Sequence, residues 1–423
     1  MTKPTLPRAH IFFVHSPITA VTTKLTIEQA NLPREDVYLI IRENAYDLVK
    51  GLVPDQQILF VDNYWLTSHE RGKFITQRWG YILLERAVIQ AVQTLITGED
   101  AQVLSELSYG GSIERIRTTR EFSLYVAHLT IDMVYALVKS PECVEVNLIE
   151  EGTLHYVNYM YSESFLEEEK TPIFALDKTG IEQRNTYYSY LLAEEESESK
   201  IKKCYALSDE AFWLLPYYDS LVNVEKVLLD ISSLKNPEYQ SYLIKHQQEQ
   251  LLTNPQLAND KEYQARVKDP ADIAHYINVV VLEAEKGKFI AEDNFVKSQV
   301  EIFKRVYDQG IKYVQYKFHP ASSQEVRQQI LEQVNNLGLV AQEIPNHVSL
   351  DQEAFANAEK QIMFHGIQSS VLLYAAIAGQ YVMTYQDILA DDPSYIEMLE
   401  LLPESLSIKI NKAAKYHFVN VTS

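Results

Sequence analysis

The chain has 423 residues, and 38 Lys and Arg against 58 Asp and Glu give a formal net charge of −20 at pH 7. Ordinary domains contain ~100–200 residues, so this length predicts two large domains or three. Hydrophobic residues make up 46% of the chain, which excludes a protein that is disordered throughout. The negative charge argues against a nucleic-acid binder and against docking on an anionic membrane surface, because phosphates would be repelled.

The cysteine content and the apolar segments indicate a cellular compartment. Cys143 and Cys204 are the only cysteines, and they form neither a disulfide framework nor a metal-binding pattern, which favours a reducing cytoplasm. The apolar stretch at residues 11–14 is too short for a signal peptide, and no window approaches the ~20 apolar residues of a membrane helix. We therefore expect a cytoplasmic protein whose association with the inner membrane, if any, is indirect.

The first half of the chain alternates strands and helices. Short continuous apolar runs predict strands buried on both faces of a parallel sheet, at residues 11–14, 37–41 and 58–61, and another buried strand is predicted at residues 143–149. Tyr81, Leu84, Val88 and Val92 recur at helical spacing and predict a helix over residues 74–96. This alternation predicts an α/β domain.

A polar and highly charged stretch, residues 191–203, interrupts the alternation and predicts a domain boundary. We accordingly divide the chain into residues 1–200 and 201–423. A solvated surface loop within one domain is an equally acceptable interpretation of this stretch.

The second half resumes the alternation. Strands are predicted at residues 222–229, 279–282, 313–316, 339–344, 361–364 and 381–384. Helices are predicted at residues 294–307, from Ser322 or Ser323 to Asn336, and at 371–378. The predicted fold class is therefore α/β, with two halves facing across a cleft.

In open parallel sheets, ligands bind beyond the carboxyl ends of the strands, so residues that directly follow strands are the candidates for function. Glu150 and Glu151 follow the strand at 143–149, and Gly152 permits a tight turn there. Neighbouring side chains at a strand end point in opposite directions, so one carboxylate can face the cleft. Burial beside the other carboxylate would raise its pKa and suit a general base, although two solvated acids at a turn are the alternative.

Two further candidates follow strands in the second half. His319 precedes Pro320, which keeps it out of a helical conformation, and its imidazole can donate a hydrogen bond or a proton to a phosphate. Ser369 and Ser370 open a helix, whose free N–H groups and positive dipole end suit a phosphate. The alternatives are a histidine that satisfies a loop carbonyl and ordinary capping by serine.

These motifs, in this order, resemble the pattern of bacterial sialyltransferases and polysialyltransferases of the lipooligosaccharide and capsule type. The matching residues are Glu150-Glu151-Gly152, His319-Pro320, Ser369-Ser370 and the opening segment Phe12-Phe13-Val14-His15-Ser16-Pro17. The resemblance implies a GT-B fold with two Rossmann-like domains, the first on the acceptor side and the second binding the donor. It also implies CMP-sialic acid as donor, an oligosaccharide or polysaccharide as acceptor, and inversion at the anomeric carbon.

The resemblance further implies the roles of individual residues. Glu151, or alternatively Glu150, would be the general base, and His319 would bind or protonate the departing CMP. Pro320, Ser369 and Ser370 belong to the donor-binding motifs, and the serines would hold the donor phosphate. Asp351 occupies the place of an acid that contacts the cytidine ribose, although Ser349 stands where the family usually has a second proline.

No cofactor and no metal are expected, because the chain contains no Asp-x-Asp motif of the kind that holds a metal for diphosphate donors. Two other functions stay open. The donor is alternatively another CMP-activated nonulosonate or Kdo-type sugar. Alternatively, the chain is a non-catalytic GT-B-like protein that binds glycan or serves as a scaffold.

Overall fold

The computed structural model describes residues 6–42, 46–61, 78–98, 120–127, 132–152, 155, 200–212, 223–283, 292–367 and 369–392. The chain forms two compact units. The first contains the described residues up to Glu151 and those from 200 to Asp230. The second contains Gly152, His155 and the described residues from Ile231 onward.

The first unit is built on a parallel sheet of seven strands in the order β3-β2-β1-β4-β5-β6-β7. The strands are β1 (Ala9–Val14), β2 (Val37–Arg42), β3 (Ile58–Val61), β4 (Phe122–Val126), β5 (Cys143–Ile149), β6 (Ile201–Ala206) and β7 (Glu225–Leu228). The central strands β1 and β4 are buried almost throughout, as expected for parallel strands covered on both faces.

In the described residues this sheet is accompanied by the helices α1 (Pro17–Gln29), α2 (Tyr46–Val49), α3 (Arg78–Thr97) and α4 (Asp132–Lys139). The start of α1 is determined by its sequence. Ser16 is the N-cap and forms a capping box with Thr19, and Pro17 occupies the first helical position, where its missing N–H costs nothing. This helix therefore begins immediately after the carboxyl end of β1.

The second unit is built on a parallel sheet of five strands in the order β10-β9-β8-β11-β12. The strands are β8 (Ile277–Val281), β9 (Tyr313–Lys317), β10 (Val340–Glu343), β11 (Ile362–Gly366) and β12 (Tyr381–Thr384). The helices are α5 (Tyr242–Thr253), α6 (Pro255–Ala258), α7 (Lys261–Lys268), α8 (Glu292–Asp308), α9 (Gln324–Val334), α10 (Leu350–Ala356) and α11 (Ser370–Ile377). Short 3-10 turns lie at Arg34–Asp36, Asp55–Gln57, Ile231–Leu234, Ile273–His275, Asn335–Leu337 and Gln386–Leu389.

A buried polar network crosses the second sheet. His365 on β11 is fully buried, with Nε2 2.9 Å from Asn278 Oδ1 and Nδ1 3.0 Å from the Tyr385 hydroxyl. The Asn278 side-chain amide donates to the Ile273 and Tyr276 carbonyls, which turns its oxygen toward the ring. His365 Nε2 is therefore the donor to Asn278, and burial, which lowers the pKa of the ring to about 3, keeps it neutral beside the Tyr385 hydroxyl.

The predicted fold class is confirmed, because both units are α/β with parallel sheets in the Rossmann strand order. The position of the boundary differs from the prediction at 200/201. Strands β6 and β7 pair with the first sheet, so the second unit takes over at Ile231. The stretch ending in Lys202 and Lys203 resembles a linker in sequence, but Ile201 and Cys204 are buried as parts of β6.

The structure also shows which of the two predicted serines caps the helix. Ser323 accepts a hydrogen bond from the Val326 N–H and caps α9, whereas Ser322 is buried and donates to the Glu283 carbonyl. None of the helices in the described ranges has the length and apolarity needed to cross a membrane.

Candidate functional site

In each sheet, successive strands are added first on one side of a central strand and then on its other side. In the first sheet β1 lies between β2 and β4, and in the second sheet β8 lies between β9 and β11. The connections leave such a pair of strands in opposite directions, which opens a crevice at their carboxyl ends where ligands bind in open α/β sheets. The residues that follow β1, β4, β8 and β11 are therefore the first candidates for binding and catalysis.

At the carboxyl edge of the first sheet, a carboxylate contacts an imidazole. His15 directly follows β1, and its Nε2 lies 2.6 Å from Oε1 of Glu151, which follows β5. The side chain of His15 is 11% exposed and that of Glu151 is 20% exposed. The pair is thus largely enclosed, yet its carboxylate retains access to solvent.

The backbone at His15 is held by the start of α1. Thr19 Oγ1 accepts from the His15 N–H at 3.1 Å and from the Ser16 N–H at 2.9 Å. The Thr22 hydroxyl of the same helix lies 3.3 Å from the Glu150 carbonyl oxygen, which ties α1 to the end of β5. Both partners of the imidazole–carboxylate pair are therefore anchored by one helix.

Glu150 faces the interior of the first unit. It is fully buried, its Oε2 accepts from the Leu207 N–H at 2.7 Å, and its own N–H donates to the Tyr205 carbonyl at 3.0 Å. These bonds attach the end of β5 to β6. Gly152 then turns the chain with a φ of 67°, a left-handed conformation that glycine adopts without strain. The two adjacent acids thus point into different surroundings.

In the second unit, His319 lies in an exposed turn two residues after β9. Its Nδ1 accepts a hydrogen bond from the Ala321 N–H at 3.1 Å, so in the neutral ring the proton is on Nε2. The carbonyl of His319 accepts from the Ser322 N–H at 3.0 Å and from Arg327 at 3.2 Å, which holds the turn around Pro320. The neutral ring therefore presents a donor at Nε2.

Ser369 and Ser370 begin α11, directly after β11, which lies next to the central strand β8 of the second sheet. Ser369 is the N-cap, and its Oγ accepts from the Val371 N–H at 3.3 Å. The nearby Gly366 is explained by packing: a Cβ there would lie 3.1 Å from both the Val281 carbonyl oxygen and a Leu372 methyl group. This glycine permits the close approach of β11 to β8 and α11.

Lys317 and Asp351 lie at the same edge of the second sheet and influence each other electrostatically. Lys317 Nζ donates to the carbonyls of Pro345 at 3.4 Å, Asn346 at 3.3 Å and Val348. Burial lowers the pKa of Lys317, and burial raises the pKa of Asp351 to about 6 against the opposing effect of the ammonium. Ser349, in the place of the second proline, caps α10 through the Gln352 N–H.

Of the two predicted acids, Glu150 is therefore buried, whereas Glu151 is partly exposed. His319, Ser369, Ser370 and Asp351 lie at the carboxyl edge of the second sheet. His15 was not predicted as a site residue. The signal was present, because His15 directly follows a predicted strand, as the other candidates do. The described part of the chain contains no group of three or more His, Cys, Asp or Glu side chains placed to hold a metal ion, and the expectation of a metal-independent protein stays a prediction.

Comparison with known proteins gives similarity only at the level of structure. The sequence matches no family model, and no curated protein is significantly similar to it. Among solved structures, it is similar to a UDP-GlcNAc 2-epimerase from Neisseria meningitidis bound to UDP-GlcNAc, with 10% identity, 96% of this chain and 97% of that chain covered, and a TM-score of 0.47.

Two further similar structures are a sialyltransferase from Photobacterium damsela and MnaA from S. aureus with UDP. The first has 12% identity, covers 98% of this chain and 82% of that chain, and has a TM-score of 0.43. The second has 8% identity, covers 96% and 91%, and has a TM-score of 0.48. Similarity at this level assigns no activity to this chain.

Proposed function

We propose that this protein is an inverting, metal-independent glycosyltransferase that moves sialic acid from CMP-sialic acid to a hydroxyl of a bacterial surface glycan. The observation that carries the proposal is the position of three candidate donor-binding features at the carboxyl edge of the second sheet. They are His319, the start of α11 with its two serines, and Asp351.

The donor phosphate suits these groups. The N-terminus of α11 offers the positive end of the helix dipole, and the backbone N–H and the hydroxyl of Ser370 are candidate donors to the phosphate. The Nε2–H of His319 donates to a phosphate oxygen and stabilises the charge that develops there as CMP leaves. We assign to Asp351 the contact with the hydroxyls of the cytidine ribose.

We assign the role of the base to Glu151. The Glu151 carboxylate takes the proton of the acceptor hydroxyl while that oxygen attacks the anomeric carbon from the face opposite the phosphate. The bond between the anomeric carbon and the phosphate oxygen breaks, and CMP departs with the bonding electron pair. One displacement of this kind inverts the anomeric centre.

A CMP-linked sialic acid is preferred over other donors for two reasons. The residues resemble the acidic-pair, His-Pro and Ser-Ser pattern of bacterial sialyltransferases, in order and each beyond a strand. The chain also contains no Asp-x-Asp motif for a metal-bound diphosphate.

A donor panel tests the proposal. The purified protein is incubated without metal with CMP-sialic acid, other CMP-nonulosonates, CMP-Kdo and UDP-GlcNAc, each with a galactose-terminated acceptor, and released nucleotide and new glycoside are measured. We expect CMP and sialylated product from CMP-sialic acid. Transfer from another CMP-sugar alone would reassign the donor, conversion of UDP-GlcNAc to an epimer would refute the transferase assignment, and turnover of none would favour a non-catalytic protein.

A His319→Ala variant tests the leaving-group role. Loss of the Nε2–H donor is expected to lower kcat by roughly 10²-fold, the cost of removing one donor from developing negative charge. His275→Ala is the matched control, because His275 is also exposed and precedes β8 at the opposite edge of the same sheet. Equal rates of CMP release from the wild type and His319→Ala would contradict the assigned role.

A further inference from the structure

We propose that His15 is the positioning residue for the general base: its imidazole holds one oxygen of Glu151 so that the other oxygen meets the acceptor hydroxyl. This inference rests on the proposed function and adds to it a residue that none of the sequence motifs assigns to the chemistry. The contact that carries it is the 2.6 Å separation between His15 Nε2 and Glu151 Oε1.

Exposure to solvent decides whether His15 or Glu151 is the general base. An imidazole whose Nε2 contacts the carboxylate has only Nδ1 left to take a proton, and Nδ1 of His15 is buried. The Glu151 side chain keeps contact with solvent. The acceptor proton therefore goes to the carboxylate, and the histidine acts through it.

The contacts around His15 fix the geometry of its contact with Glu151. Its N–H is bound by Thr19 Oγ1, its ring lies 5.3 Å from that of Phe13, and the Thr22 hydroxyl joins α1 to the strand end that carries Glu151. A glutamate has three rotatable side-chain bonds, and a second contact that fixes its carboxylate avoids the rate loss of up to ~10²-fold that accompanies a misplacement of about 1 Å.

The chemical type of the partner also matters. An imidazole donates a hydrogen bond without the permanent positive charge that a lysine or an arginine carries. A lysine or arginine in the same place would hold the pKa of the carboxyl low and make it a weaker base. Histidine thus fixes the geometry of the carboxylate and preserves its ability to accept a proton.

Two substitutions at residue 15 test the proposal. His15→Leu removes the donor and is expected to lower kcat by roughly 10²-fold with the KM for the donor within about twofold. His15→Gln keeps an N–H donor, and its kcat is expected to be at least tenfold higher than that of His15→Leu. His10→Leu is the matched control, because His10 lies on β1, the strand that leads to His15, and contacts the Tyr125 hydroxyl at 3.2 Å instead of Glu151.

The outcomes separate this inference from the proposed function. Undiminished kcat in His15→Leu, or a His15→Gln variant as slow as His15→Leu, overturns the positioning role while transfer by the wild type stands. Nitrogen NMR of labelled histidines adds a readout that needs no turnover. The His15 signal is expected to shift in Glu151→Gln, and an unchanged signal refutes the pairing. If the His15 signal shifts but the wild-type protein transfers sugar from no donor, the contact between His15 and Glu151 stands. The proposed function, and with it the catalytic role of the pair, is then refuted.

Discussion

Replacement of Glu151 by glutamine is expected to slow sugar transfer by roughly 10²–10⁴-fold, the usual contribution of general base catalysis. Glutamine has nearly the same shape as glutamate and can still contact His15, but it cannot take the proton of the acceptor hydroxyl. The loss should fall on kcat, because the interaction is made in the transition state, whereas donor binding by the second unit should stay within about twofold. Single-turnover assays with CMP-sialic acid, together with calorimetric titration of CMP, measure both quantities.

Two other acids of the first unit make this result specific. Glu121→Gln, at an exposed position just before β4, is expected to leave transfer and stability unchanged. Glu150→Ala removes the buried acceptor of the Leu207 N–H and is expected to destabilise the protein by about 1–3 kcal/mol. A Glu151→Gln variant that transfers at the wild-type rate would contradict the base assignment, and a fully stable Glu150→Ala variant would contradict the anchoring role of Glu150.

Much of the fold could be predicted because parallel strands are buried on both faces and stand out as continuous apolar runs. The segment of β3 is such an apolar run, and its predicted range matches the structure, as do the predicted ranges of β5 and β12. Strand β6 could not be found in this way. It lies next to β7 at the margin of the sheet, its Lys202 is exposed, and the preceding residues are highly charged.

The candidate residues could be predicted for a related reason. Once a strand is located, the residues beyond its carboxyl end follow, and this is enough to place Glu151, His319 and Ser370 after strands without any knowledge of strand order. The contact between Glu151 and His15 could not be predicted, because it depends on the position of β1 and β5 on either side of β4. β4 was not among the predicted strands, so the distance between the two strand ends was undetermined.

The largest effect on stability is expected from the buried His365 network as the pH falls. Burial lowers the pKa of His365 from 6.5 to about 3. Between these values the unfolded chain binds a proton that the folded protein excludes, so the stabilisation is complete above pH 6.5 and is lost as the pH falls below it. The expected slope is about 1.4 kcal/mol per pH unit, or about 2–3 kcal/mol by pH 4.5.

A His365→Gln variant isolates this contribution, because glutamine can donate to Asn278 and accept from Tyr385 but does not titrate. Its unfolding free energy should lie below that of the wild type at pH 7.5, and the gap should narrow as the pH falls to 4.5. Urea denaturation across this range measures the gap, and His275→Gln, at an exposed position in the same unit, should follow the wild type at every pH. Parallel curves for the wild type and His365→Gln would show that His365 is protonated in the folded protein as easily as in the unfolded chain. The neutral ring between Asn278 and Tyr385 would then be the wrong description of this core.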